Sequence, residues 1–332
     1  MKIEIRNYVV PSIPMALLLI ILVTIIWFSD IFIHKSIQTV TAGNALSVDF
    51  NQYFNEHLLL SNIVSLLLTA LNALLLGQLN NKYTIIRTRT FLPVLFYVLL
   101  MASWHETHTV VLSHLVLSFV MVALFVIFNV YRNRNASEQA FLSSFLIAVS
   151  SLFFEPMILY IPLIWIGIIL FHSLSLRNFL ATLIGAVTPW ILYLVVRAYL
   201  HPDLLWLNQL AASFDIGLSI LTRPLSEIIY ISVLFILFMI GLVGLTSNMN
   251  QDSMQTRSML TFIIYFTFLS FVFSMVFEKH FFVFLPFVGL GFALLLAHPI
   301  TLKKGNFFGI IFLIFIVVNI AFVGFNVLFS PQ

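Results

Sequence analysis

Residues 109–130 read TVVLSHLVLSFVMVALFVIFNV, 22 positions without a single Asp, Glu, Lys or Arg. A helix needs about 20 apolar residues to cross a hydrocarbon core of about 30 Å. A surface helix of a soluble protein would interrupt such a run with polar residues every few positions. This stretch is apolar all round. Alternation with a period of two, the mark of an outer-membrane barrel strand, is also missing.

The same texture continues in both directions. Runs at 11–29, 58–78, 91–104, 140–154, 157–171, 179–200, 226–246, 258–277, 281–297 and 306–329 bring the expected number of spans to eleven. Composition agrees: of 332 residues 61% are hydrophobic, 15% aromatic and 8% charged, with 36 Phe and a mean hydropathy of +1.11. Soluble domains carry about 25% charged residues, so a water-soluble globule is excluded, and with it a nucleic-acid binder. The fold class predicted is all-α, a polytopic integral membrane bundle forming one domain over residues 1–332. The first run lacks a small-residue cleavage site after it and reads as a retained anchor rather than a signal peptide. No Cys is present, which removes thiol catalysis and thiolate metal sites.

Orientation follows from charge, because cytoplasmic loops collect Lys and Arg. With the N-terminus inside, the inner side holds eleven basic residues and the outer side four, namely Lys35, Arg197, Arg223 and Lys279. An odd number of spans then leaves the C-terminus outside. The acids segregate the other way: Asp30, Asp49, Glu56, Glu106, Glu155, Asp203, Asp215, Glu227 and Glu278 fall outside, and Glu4, Glu138 and Asp252 inside. Acids contribute little to topology, so insertion does not demand this bias. The net charge of +3 is explained by orientation and implies no anionic partner.

Two outer loops, 30–57 and 201–225, have the composition of interfacial helices. Three spans, 91–104, 140–154 and 157–171, supply only about 21 to 23 Å of helix at 1.5 Å per residue. Their deficit calls for turns sunk below the membrane surface inside protein. Those turns carry His105-Glu106-Thr107-His108 and Glu155-Pro156, so an outward-facing cavity with sunken carboxylates is expected.

Candidate site residues follow from position. Asp30 ends the first span, where a carboxylate acts as a base if its surroundings tune it; it also reads as the point where a helix leaves lipid. Glu106 and Glu155 are candidate catalytic acids because charge at depth is costly, although Pro156 alone explains a turn at 155. His105 and His108 suit a divalent cation, but their i, i+3 spacing departs from the helical zinc motif, and a polar hairpin tip fits as well. Arg197, Lys279 and His280 are the cations suited to a phosphate. Snorkelling to the interface accounts equally for Arg197 and Arg223.

The string Glu278-Lys279-His280-Phe281-Phe282-Val283-Phe284-Leu285-Pro286-Phe287 resembles a late segment of membrane-embedded C-type glycosyltransferases. Asp30 at the end of the first span, the long first outer loop, the short paired helices, and Gly185 and Pro189 after Leu176-Arg177 resemble that family too. The resemblance implies transfer of a sugar from a polyprenyl-phosphate carrier outside a bacterial inner membrane. Asp30 would be the base, and Lys279 with His280 would hold the lipid phosphate; Arg197 joins them on charge and depth. Two features depart from the pattern: Asp30 stands alone where relatives pair two acids, and no appended soluble domain follows. The chain also resembles an uncharacterised multi-pass inner-membrane family of Bacteroidota, for which no activity follows. Two other classes stay open. A non-catalytic subunit of an envelope assembly would pack its Phe-rich spans against other membrane chains. A transporter would carry interrupted helices in repeated halves, and the short spans here cluster in the first half instead.

Overall fold

The computed structural model describes residues 21, 23–27, 52–88, 90–200, 214, 216–302 and 306–329. Ten main helices run through them: α1 (Leu58–Tyr83), α2 (Leu92–Ser103), α3 (Val111–Phe128), α4 (Ser137–Phe153), α5 (Ile161–Leu170), α6 (Leu176–Leu200), α7 (Leu225–Asn248), α8 (Met254–Val276), α9 (Phe281–Leu302) and α10 (Asn306–Phe329). Residues 23–27 are helical within the first predicted span. Among the described residues seven helices are long and apolar enough to cross a membrane, and Leu92–Ser103, Ser137–Phe153 and Glu155–Leu170 are the shorter apolar ones. The protein is an all-α polytopic bundle, and the three undersized spans fall where the sequence puts them. Of the two predicted interfacial helices, residues 52–56 are helical, while the remainder of the first loop and residues 200–213 of the other lie outside the described side chains.

The bundle is organised around α9. Its span is 94% buried, and α2, α7 and α8 pack along it. The sequence FFVFLPFVGLGFALLLA offers no polar face, which suits lipid and protein alike, and Gly289 and Gly291 let side chains of α2 and α8 come close to its backbone. Lipid meets other helices, through residues such as Ile184, Val195, Ile229, Met239 and Val317.

Close approach depends on small residues, since lipid provides no hydrophobic drive for helix association. Helix α4 buries Ala140, Ser143, Ser144, Ala148 and Ser151 where it packs against α3 and α6, and Ser144 and Ser151 meet α6 at Gly185 and Trp190. A Cβ on Gly185 would overlap the carbonyl oxygen of Phe141 and the hydroxyl of Ser144. Gly185→Leu should therefore lower stability by about 1–3 kcal/mol, as overpacking does. Thermal unfolding in detergent would show it, against Gly324→Leu as control, where nothing lies within 4 Å of the new Cβ.

The two ends of the bundle separate the loops as the charge count predicts. At the basic end, Arg132 N–H donates to the Phe171 carbonyl at 2.8 Å and Ser175 to the Arg134 carbonyl at 3.3 Å. At the other end, Gly217 N–H donates to the Val276 carbonyl at 2.9 Å, and Ser219 to the Ser274 carbonyl at 2.8 Å. The acidic turns described next share that second end.

Candidate functional site

Helix α2 is 12 residues long, about 18 Å at 1.5 Å per residue. Its missing length is made up by the segment Trp104 to Val110, a single 3-10 turn with irregular backbone on either side, sunk among the surrounding helices. Backbone polar groups at such depth need partners. Thr107 supplies one donor to the carbonyls of Met101 (2.8 Å) and Trp104 (2.7 Å), and Ser61 donates to the Thr109 carbonyl at 2.6 Å. His114 Nε2 lies 2.9 Å from the Thr107 carbonyl, which can only accept. The proton is therefore on Nε2, leaving Nδ1 to accept from the Thr69 hydroxyl at 3.2 Å.

This framework holds the short 3-10 turn His105–His108. Glu106 is 5% exposed, and His105 Nδ1 stands 3.2 Å from its carboxylate. The buried His108 ring stacks on Trp27, centroids 3.9 Å apart, so the first predicted span ends beside this turn. Trp27 Nε1 in turn donates to the Asn62 carbonyl at 3.2 Å. Asp30 itself lies outside the described residues.

A second 3-10 turn, Glu155–Tyr160, opens α5 and places Glu155 at 0% exposure. Phe154 adopts an extended conformation before Pro156, and its ring meets His280 edge-on at 4.9 Å. Phe154, next to Glu155 in the chain, and His280 are thus brought together from segments far apart in the sequence. Tyr193 on α6 lies within electrostatic reach of both Glu155 and Arg197, which joins the sixth helix to the same place. His280 is buried, whereas its neighbour Lys279 is exposed. Glu278 packs against Gly217, where a Cβ would come within 2.6 Å of its carboxylate oxygen.

Trp104 connects the two acidic turns, since its ring lies 5.7 Å from Phe281 and 5.8 Å from Phe282. The carboxylates are sunken, as the short spans predict. The expected polar cavity takes another form: a cavity of about 570 Å³, counting space open to its surroundings, has an apolar lining on α2, α7, α8 and α9. Neither Glu106 nor Glu155 lines it. Among the described residues no group of three or more His, Asp or Glu could hold a metal ion, so His105 and His108 gain no third ligand there.

Two features escape the sequence. One is the role of Arg223, whose guanidinium lies 4.4 Å from the ring centroids of both Phe281 and Phe282 and 3.4 Å from Glu227. The other is at the basic end, where Arg87 Nε donates to Asp252 Oδ1 at 2.6 Å and His298 Nε2 stands 3.3 Å from Asp252 Oδ2. Asp252 and His298 are both at 0% side-chain exposure. Asp252 is one of three acids among the inner basic residues, which is its signal in the sequence; its partners are invisible in a linear pattern.

The model of a family described as "Family of unknown function (DUF6427)" matches residues 34–329. No curated protein and no solved structure matches the chain.

Proposed function

We propose, for a chain that belongs to this family of unknown function, a glycosyltransferase-like activity on the outer face of a bacterial inner membrane. The donor is a sugar carried on a polyprenyl phosphate. The observation that supports the proposal is the burial of Glu155, whose neighbour Phe154 meets the His280 ring, at the same end of the bundle as the buried Glu106. Buried acids with cations next to them suit proton transfer coupled to departure of a charged group.

In this reaction an acceptor hydroxyl attacks the anomeric carbon. The bond from that carbon to the phosphate oxygen breaks, its electron pair leaves with the phosphate, and the hydroxyl proton passes to a carboxylate. Asp30 is the base suggested by the resemblance, and Glu155 and Glu106 are the buried acids that accompany it. Lys279, exposed beside His280, meets the lipid phosphate, and Arg197 is the further cation suggested by its charge and depth. Metal dependence is a measurement to make alongside the others.

The test is transfer from a polyprenyl-phosphate-linked sugar in proteoliposomes. Asp30→Asn should abolish transfer while membrane insertion persists, and full activity in that variant removes Asp30 from the mechanism. Lys279→Ala should raise the apparent KM for the carrier by about tenfold, the loss of one exposed charge contact of about 1.4 kcal/mol, with the acceptor KM unchanged.

A further inference from the structure

The cavity bounded by α7, α8 and α9 carries three polar side chains in its lining, and two of them are already committed. Thr267 donates to the Ile263 carbonyl and Ser274 to the Phe271 carbonyl, both at 2.7 Å. The third is Trp104. It is 1% exposed, and its Nε1 is buried with no hydrogen-bond partner among the described residues. Tyr230, packed against the indole at 5.5 Å, turns its own hydroxyl to Asn319 at 2.8 Å. Phe281, Phe282 and Phe322 occupy other sides of the indole. An indole N–H can only donate, and a buried donor left open is costly. The cavity therefore calls for an acceptor.

Its walls say what else the ligand must be. Two stacked aromatic pairs line it, Phe235 with Phe271 at 5.3 Å and Phe238 with Phe292 at 6.4 Å. Aromatic faces of this kind take a flat ring in an offset stack. Phe235 is 42% exposed on the outside of the bundle, so the cavity opens sideways towards lipid. Charge is missing: among the described residues no charged side chain lines it, and Arg223, over the Phe281 ring at 4.4 Å, is held by Glu227 at 3.4 Å. An ionic head group would enter without a counter-charge. The acceptor has to be neutral.

We infer that this cavity is a binding site for a membrane quinone, whose ring lies among the phenylalanines and whose carbonyl oxygen accepts from Trp104 Nε1. A quinone joins the three required properties in one molecule: it is flat, it is uncharged and dissolved in lipid, and its polar atoms are acceptors. The inference goes beyond the transferase reading and does not depend on it, since Glu106 and Glu155 lie outside the lining.

The experiment measures equilibrium binding of menadione and of methylnaphthalene, the same ring system without the carbonyls, to the full chain in nanodiscs, with partition into empty nanodiscs subtracted. The chain has no Cys for menadione to alkylate. Menadione should bind at least about tenfold more tightly than the hydrocarbon. Trp104→Phe keeps an aromatic ring and removes the N–H, so it should bring the two ligands within about twofold of each other while the hydrocarbon's affinity stays. Because that variant can lose stability, a photoreactive azidoquinone on the unaltered chain gives a second reading. It should label residues 231–238 and 271–275, and menadione should protect them while dioleoylglycerol, neutral but without a ring, should not. Equal binding of menadione and methylnaphthalene, a preference that survives in a Trp104→Phe protein of unchanged unfolding midpoint, labelling outside those segments, or protection by dioleoylglycerol would each overturn the inference.

Discussion

Glu155→Gln should reduce sugar transfer by about 100-fold or more, the usual range for losing a positioned acid or base, while the protein still folds and binds the carrier. The carboxamide keeps the shape of the side chain and removes only its charge and its capacity to take a proton. Glu155 is fully buried in a turn fixed by Pro156 and flanked by the His280 ring contact of Phe154. Loss of about 2.7 kcal/mol of transition-state stabilisation corresponds to that 100-fold change. The measurement is kcat and KM in proteoliposomes with the unfolding midpoint recorded beside them. A variant that keeps its midpoint and its kcat would reduce Glu155 to a hairpin residue and leave Glu106 as the acid to examine. Glu155→Ala should lose stability as well, because it also vacates packed space, so the glutamine variant is the informative one.

The largest stability effect is expected at the opposite end. Arg87→Ala should cost about 3 kcal/mol, because it leaves the fully buried carboxylate of Asp252 with only the imidazole of His298 nearby. The double variant Arg87→Ala with Asp252→Asn should recover part of that loss, since no unpaired charge then remains. Detergent unfolding midpoints for the two singles and the double give the coupling directly. Additive losses would mean that the 2.6 Å bond contributes no more than an exposed ion pair does, and that Arg87 acts through its half-exposed stem.

The spans were legible because apolar run length is a direct consequence of bilayer thickness. Their ends were less so. Residues 79–83 belong to α1 although they read as a polar loop, and Asn80 is kept there by accepting from Ile86 N–H at 3.0 Å. Likewise α9 passes through Pro299 to Leu302 where a proline reads as a stop. The 3-10 turn at Glu155 runs directly into the fifth helix as a continuous Glu155–Leu170 segment, which stays shorter than a full span. Of the site, the depth of Glu106 and Glu155 follows from short helices. The contact of Phe154 with His280, and the pairing of Arg87 with Asp252, depend on distant segments meeting, which no local pattern encodes. His114 reads as an outer-face histidine, yet its task is to bind the Thr107 carbonyl from within α3. The groove was hidden for a simpler reason: every residue that lines it looks like an ordinary span residue.

The connection after α2 reverses the usual relation between loop and helix. Loops ordinarily breathe and exchange with solvent first, but here Thr107, Ser61 and His114 occupy the carbonyls that a loop would leave to water. A deuteron or a protease arriving at that end finds the irregular backbone tied down from beneath, so the segment will behave in time as part of the scaffold, as slow to open as the helices it joins.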